Sequence, residues 1–109
     1  MSTLQNIESL KSPPTLEALR ARRDDILALA AQYGAYNVRV FGSVARGDAT
    51  HDSDVDLLVQ FHAWVSLYEL AGIKRALETA LNLSVDIIED HPGLRDRFRR
   101  QVLKDAQPL

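Results

Sequence analysis

The segment Asp54-Val55-Asp56-Leu57-Leu58-Val59-Gln60-Phe61 limits the fold more than any other part of the chain. Successive strand residues point to opposite faces, so Asp54 and Asp56 share one face while Val55 and Leu57 share the other. The apolar continuation Leu58-Val59 implies a strand buried on both sides. A chain folding around it must cover both faces and still leave room for two carboxylates at one end.

A second constraint stands just upstream. Val38-Arg39-Val40-Phe41 is a short β-branched and aromatic run that delivers the chain to Gly42-Ser43-Val44-Ala45-Arg46-Gly47. Between two glycines, Val44-Ala45-Arg46 suits a short helical turn, which puts the N–H groups of Ser43 and Val44 at a helix N-terminus, where an anion is favoured. Gly42 lets the backbone come close to a phosphate, Ser43 offers its hydroxyl and N–H, and Arg46 is within reach of an outgoing pyrophosphate. Asp48 to Ser53 has the composition of a loop.

The remaining elements follow from periodicity. From Thr15, the apolar positions Leu16, Leu19, Ile26, Leu27, Ala30 and Tyr33 predict one helix, stopped by Gly34. Ser66-Leu67-Tyr68-Glu69 is a capping box opening a helix through Leu70, Ile73, Leu77 and Leu81, which Asn82 ends. Leu83 to Ile88 predicts a third strand, carrying Asp86 among apolar neighbours. From Pro92, Leu94, Phe98 and Val102 predict a last helix with Arg95, Arg97, Arg99, Arg100 and Lys104 on its outer face. That outer face is either solvated or a surface for a protein or RNA partner. The order is helix, strand, turn, strand, helix, strand, helix. Residues 1–14, ending in Ser12-Pro13-Pro14, read as a loose lead-in to a domain spanning 15–109.

With 109 residues there is one domain, one core and one site. A macromolecular acceptor must therefore bring its own docking surface. The formal charge of −2 argues against a general nucleic-acid binder, and no direct nucleic-acid binding is expected. The absence of cysteine removes disulfides, thiolate nucleophiles and cysteine-ligated zinc. His51, His62 and His91 lack ligand spacing. No signal-peptide core and no run near the ~20 apolar residues of a membrane span occurs, so a soluble, cytoplasmic protein is expected.

Strand residues two apart lie about 6.6 Å apart and a neighbouring strand about 4.8 Å away. Asp54, Asp56 and Asp86 can therefore surround a small volume. Unpaired, their charges repel one another, a conflict that divalent cations resolve. Magnesium takes hard oxygen ligands, and two ions roughly 3.5–4 Å apart stabilise both the attacking and leaving oxygens at phosphorus. Joined to the glycine turn, this favours nucleotidyl transfer over hydrolysis. Asp54 and Asp56 are assigned to the metals; Asp86 completes one metal site and accepts the proton of the attacking hydroxyl. Glu89 and Asp90 are alternatives for the third carboxylate; parity favours Asp86 or Asp90, and apolar neighbours favour Asp86. A calcium loop beginning at Asp52 fails, because it needs glycine where Leu57 stands and glutamate where Ala63 stands.

Gly42-Ser43 with Arg46-Gly47, then Ser53-Asp54-Val55-Asp56-Leu57, then Val85-Asp86, resembles the pattern of the DNA polymerase β-type nucleotidyltransferase superfamily. More narrowly, residues 15–109 resemble the minimal nucleotidyltransferases that act as antitoxins beside HEPN ribonuclease toxins. The resemblance implies an α+β fold, a two-layer mixed β-sheet flanked by helices. It also implies ATP as substrate, two Mg2+ ions, and transfer of AMP to a tyrosine of a HEPN-type toxin held in a hetero-oligomer. The residues themselves reach only as far as nucleotidyl transfer, since none reads out adenine. Two other functions stay open: a catalytically silent antitoxin that works by binding alone, and a transferase to a nucleic acid or a small-molecule hydroxyl.

Overall fold

The computed structural model describes residues 12–109, so the expected lead-in falls, up to residue 11, outside the described residues. Among these residues one mixed sheet is built from β1 (Ala35–Phe41), β2 (Val55–Phe61), β3 (Val85–Glu89) and β4 (Gln107–Pro108), in the spatial order β3-β2-β1-β4. β1 runs antiparallel to β2 and to β4, whereas β2 and β3 are parallel. A parallel pair needs a crossover, which the long helix between them supplies. The helices are α1 (Leu16–Ala21), α2 (Arg23–Gln32), α3 (Gly42–Arg46), α4 (Leu67–Leu81) and α5 (Asp96–Asp105). None is long and apolar enough to cross a membrane.

The central strand is covered on both faces, as its sequence requires. Val55, Leu57 and Val59 join Val40, Val85, Ile26, Ala30, Ile73 and Leu77 in one core cluster, which α2 and α4 complete. Burying each of the valine, leucine and isoleucine side chains contributes roughly 1.5–3 kcal/mol. On the opposite face Leu58 is fully buried, and α5 packs against β1 and α3 with Val102 buried. The last helix docks through charge as well. Asp90 accepts from Arg39 Nη2 at 3.0 Å and from Arg99 Nε at 2.8 Å, and its carboxylate is 5 % exposed. The Arg99 guanidinium, then burial acting the other way, then Arg39, set the Asp90 carboxyl below the usual range.

The capping box forms as predicted, with the Ser66 hydroxyl accepting from the Glu69 N–H at 3.0 Å, and Asn82 ends α4 in the left-handed region. Other boundaries differ. The single helix predicted from Thr15 to Tyr33 is two helices with a break at Arg22, where φ is −104° and ψ 17°. Leu19 and Ile26 stay in phase across the break and both are buried, so periodicity cannot detect it. The break turns α1 toward the C-terminus, where Arg20 Nη2 donates to the Pro108 carbonyl at 2.7 Å. β1 begins at Ala35 rather than Val38. Asn37 sits at φ +50° inside a register shift between Tyr36 and Arg39. β3 starts at Val85, not Leu83, and α5 starts at Asp96, not Pro92. Phe98, expected in the buried stripe of α5, is 43 % exposed. The two-residue β4 was not predicted; it is too short to carry a pattern.

β3 is an edge strand, and α4 closes part of that edge. The Val85 N–H donates to Glu78 Oε2 at 3.0 Å, and the Val85 carbonyl accepts from Lys74 Nζ at 2.7 Å. Lys74 and Glu78 are themselves paired at 2.8 Å across one helical turn.

Candidate active site

The turn that ends β1 and the strand that follows it meet at Gly42 and Asp56. Gly42 has φ +71°, a conformation that side chains with a Cβ rarely adopt. A Cβ at this position would collide with Asp56 Oδ2. The register explains the approach, since Phe41, the last residue of β1, is paired with Asp56. Gly42–Arg46 then forms the expected helical turn, with Val44 buried as its anchor and Gly47 closing it at φ +82°. Ser43 is half-buried in the first turn.

Asp56 and Asp86 are direct partners in the parallel register of β2 and β3, so their Cα atoms are about 4.8 Å apart. Asp54 is exposed and stands one residue before β2, not inside it as predicted. The Asp56 carboxyl is raised from its ordinary value, first by burial, then by the charges of Asp86 and Asp54, against a smaller opposing pull from Arg46. The four groups therefore share one electrostatic neighbourhood. Among the described residues, no three acidic or histidine side chains converge closely enough to hold a metal ion as they stand. Of the alternatives for the third carboxylate, Asp90 is committed to Arg39 and Arg99. Glu89 lies three residues along β3 from Asp86, at odd parity.

Arg46 lies at the end of the turn. Its Nε donates to Asp48 at 3.2 Å and its Nη1 to Asp105 of α5 at 2.9 Å. An anion arriving there has to take the guanidinium from these two carboxylates, and the exposure of the Arg46 side chain, 46 %, leaves that exchange open to solvent.

Two cavities lie near this end of the sheet, and one of them is lined by Asp86. A polar one of about 480 Å³ is lined by His51, Asp52, Ser53, Glu78, Asn82, Leu83 and Ser84, beside the start of β2. A groove of about 230 Å³ runs between α4 and the β3 edge, lined by Leu67, Leu70, Ala71, Lys74, Asp86 and Ile87. Sequence reasoning did not identify Lys74, Glu78 or Asp105 as neighbours of the site. The i,i+4 spacing of Lys74 and Glu78 is visible in the sequence, but not the backbone of Val85 between them.

Comparison with known proteins gives a consistent result. A family model described as a nucleotidyltransferase domain matches residues 23–109. The protein adenylyltransferase MntA of Thermococcus cleftensis is 38 % identical over 106 residues, covering 97 % of this chain and 95 % of that one. A solved structure described as a minimal nucleotidyltransferase is 54 % identical, with a TM-score of 0.75, covering 87 % of this chain and 96 % of that one. A solved complex of the tri-AMPylated Shewanella oneidensis HEPN toxin with its MNT antitoxin shares the fold at 16 % identity, with a TM-score of 0.63 and coverage of 82 % and 69 %.

Proposed function

This chain belongs to the nucleotidyltransferase family, among the minimal adenylyltransferases related to MntA, and from that membership we propose that it is an antitoxin that transfers AMP from ATP to a tyrosine of a HEPN-type ribonuclease toxin. The observation that carries this reading is the pairing of Asp56 with Asp86 beside the Gly42 turn. A turn suited to donor phosphates and a carboxylate suited to an acceptor hydroxyl lie one strand apart.

In this reading Gly42 and Ser43 hold the β- and γ-phosphates through backbone N–H groups and the Ser43 hydroxyl. Arg46 leaves Asp48 and Asp105 to neutralise the departing pyrophosphate. The tyrosine oxygen forms a bond to the α-phosphorus while the bond from that phosphorus to the bridging oxygen breaks. Its proton passes to Asp86, and pyrophosphate leaves. The aspartates fit magnesium in chemistry, being hard oxygen donors whose mutual charge already raises Asp56. Asp54 and Asp56 would hold two ions, with Asp86 completing one site; Asp54 and Asp86 are exposed and able to turn toward Asp56. Bound magnesium supplies charge neutralisation at the α-phosphate and the leaving oxygen.

The test uses ATP labelled at the α-phosphate with this chain and its cognate toxin. Label is expected on a toxin tyrosine. Asp86→Asn is expected to bind ATP nearly as well and to transfer about 10² to 10⁴ times more slowly, the usual contribution of a positioned base. Tight binding of the toxin with no label transferred overturns the enzymatic reading in favour of inhibition by occlusion.

A further inference from the structure

Resting on the adenylyl-transfer reading, we infer that the groove between α4 and β3 is the acceptor subsite, which receives the aromatic ring of the tyrosine to be modified. The groove has the chemistry of a phenol-sized guest. Leu67, Leu70, Ala71 and Ile87 give apolar walls, while Asp86 and Lys74 stand at its polar side. A tyrosine has the same division, an apolar ring with one polar tip. A ring between the walls places its hydroxyl at Asp86, and Asp86 is the strand partner of Asp56. Among the described residues, none of the phosphate turn or of β2 lines this groove, so the acceptor enters from the edge of the sheet while the nucleotide approaches from the turn.

Lys74 is fixed as part of that polar side. Its Nζ is bonded to both Glu78 and the Val85 carbonyl, so its charge sits beside the backbone just before Asp86. That charge matches an acceptor whose hydroxyl becomes negative as it attacks.

The groove is also continuous with the most exposed apolar surface of the described residues. Leu67, a groove wall, is 85 % exposed, and Trp64 and Tyr68 beside it are 85 % and 89 % exposed. Three large apolar side chains together in solvent mark a surface for a protein. Because Leu67 belongs to both features, the chain on either side of the inserted tyrosine lies across Trp64 and Tyr68. A free small-molecule phenol would fill the groove and leave that surface bare.

Two variants and one crosslink test the assignment. Ala71→Phe fills the groove from an exposed helical position, and Leu67→Asp removes a wall at the first residue of α4, where a carboxylate suits the helix dipole. With ATP labelled at the α-phosphate and the cognate toxin as acceptor, each is expected to lower toxin labelling by more than about tenfold while changing ATP affinity less than about twofold. p-Benzoylphenylalanine in place of Leu67 is expected to crosslink to the toxin within a few residues of its labelled tyrosine. Unaltered labelling by both variants, or a crosslink far from that tyrosine, overturns the subsite although the transferase reading survives. Loss of ATP affinity in step with labelling also overturns it, because the groove would then serve the nucleotide. If the unaltered protein labels no toxin, the transferase reading fails and takes the subsite with it.

Discussion

The carboxylate of Asp56 lies against the Cα of Gly42, in the space that any side chain at that position would need. The turn and the strand are therefore fitted to each other atom by atom. Gly42→Ala has to overcome both the positive φ and the collision. The conformational part alone costs about 1–2 kcal/mol. Displacing Asp56 by the order of 1 Å is expected to cost roughly a hundredfold in transfer rate. Urea unfolding and labelled AMP transfer, measured on the same preparation, check both halves. A variant that is less stable yet transfers at the normal rate would show that the fit serves folding alone.

Arg46 is shared between Asp48 and Asp105. If it has to leave both for phosphate, then loosening one of them helps the nucleotide. Asp105→Asn is expected to tighten ATP binding by about two- to fivefold, the scale of one exposed ion pair, and the gain should shrink at high salt. Isothermal titration at two ionic strengths reads it. Weaker binding in Asp105→Asn would mean that Asp105 positions Arg46 for the ligand.

Asp90 gives the fold a pH dependence whose sign can be worked out. Its folded carboxyl is held low, chiefly by Arg99. The stabilisation it provides is fully present above the unfolded value of about 3.9 and is lost as pH falls through the depressed folded value. Asp90→Asn leaves two arginines facing an uncharged group and is expected to cost about 3 kcal/mol at pH 7. The gap between wild type and variant should stay flat down to about pH 5 and close below about pH 4. Denaturation midpoints across that range decide it; a gap that widens in acid would place the low-pH loss elsewhere.

The capping box at Ser66 and Glu69 holds the N-terminus of α4, where Leu67 projects. Ser66→Ala is expected to cost about 1 kcal/mol, the usual worth of such a cap. Hydrogen exchange should localise the loss to the first turn of α4, with the amides near Leu77 unchanged.

Elements with strong local chemistry were legible in the sequence. The turn from Gly42 to Gly47, the capping box, Asn82 as a helix stop and the doubly buried β2 all depend on residues near one another in the chain, and each is present. Parity leaves Asp86 and Asp90 equal as a third carboxylate, and the commitment of Asp90 to Arg39 and Arg99 is a long-range pairing that no local pattern shows. What escaped depends on distant partners. Arg22 breaks a helix whose apolar phase continues unbroken, and Gln107–Pro108 becomes a strand only because β1 offers an edge. The arginine-rich face of α5 looked uniform, yet Arg99 alone is drawn into the Asp90 pair. Asp105, in the same helix, reaches the turn residue Arg46, a contact across 59 positions that no local pattern encodes.

The grip of Lys74 and Glu78 on Val85 has a consequence for the protein on its own. An open sheet margin is a template on which a second copy can add its own strand and begin to aggregate. At Val85 both main-chain groups on that margin are already occupied by side chains of the chain's own crossover helix. The same helix that leaves apolar surface bare for a partner thus guards the adjacent strand against self-association. That safeguard is one lysine and one glutamate a single helical turn apart.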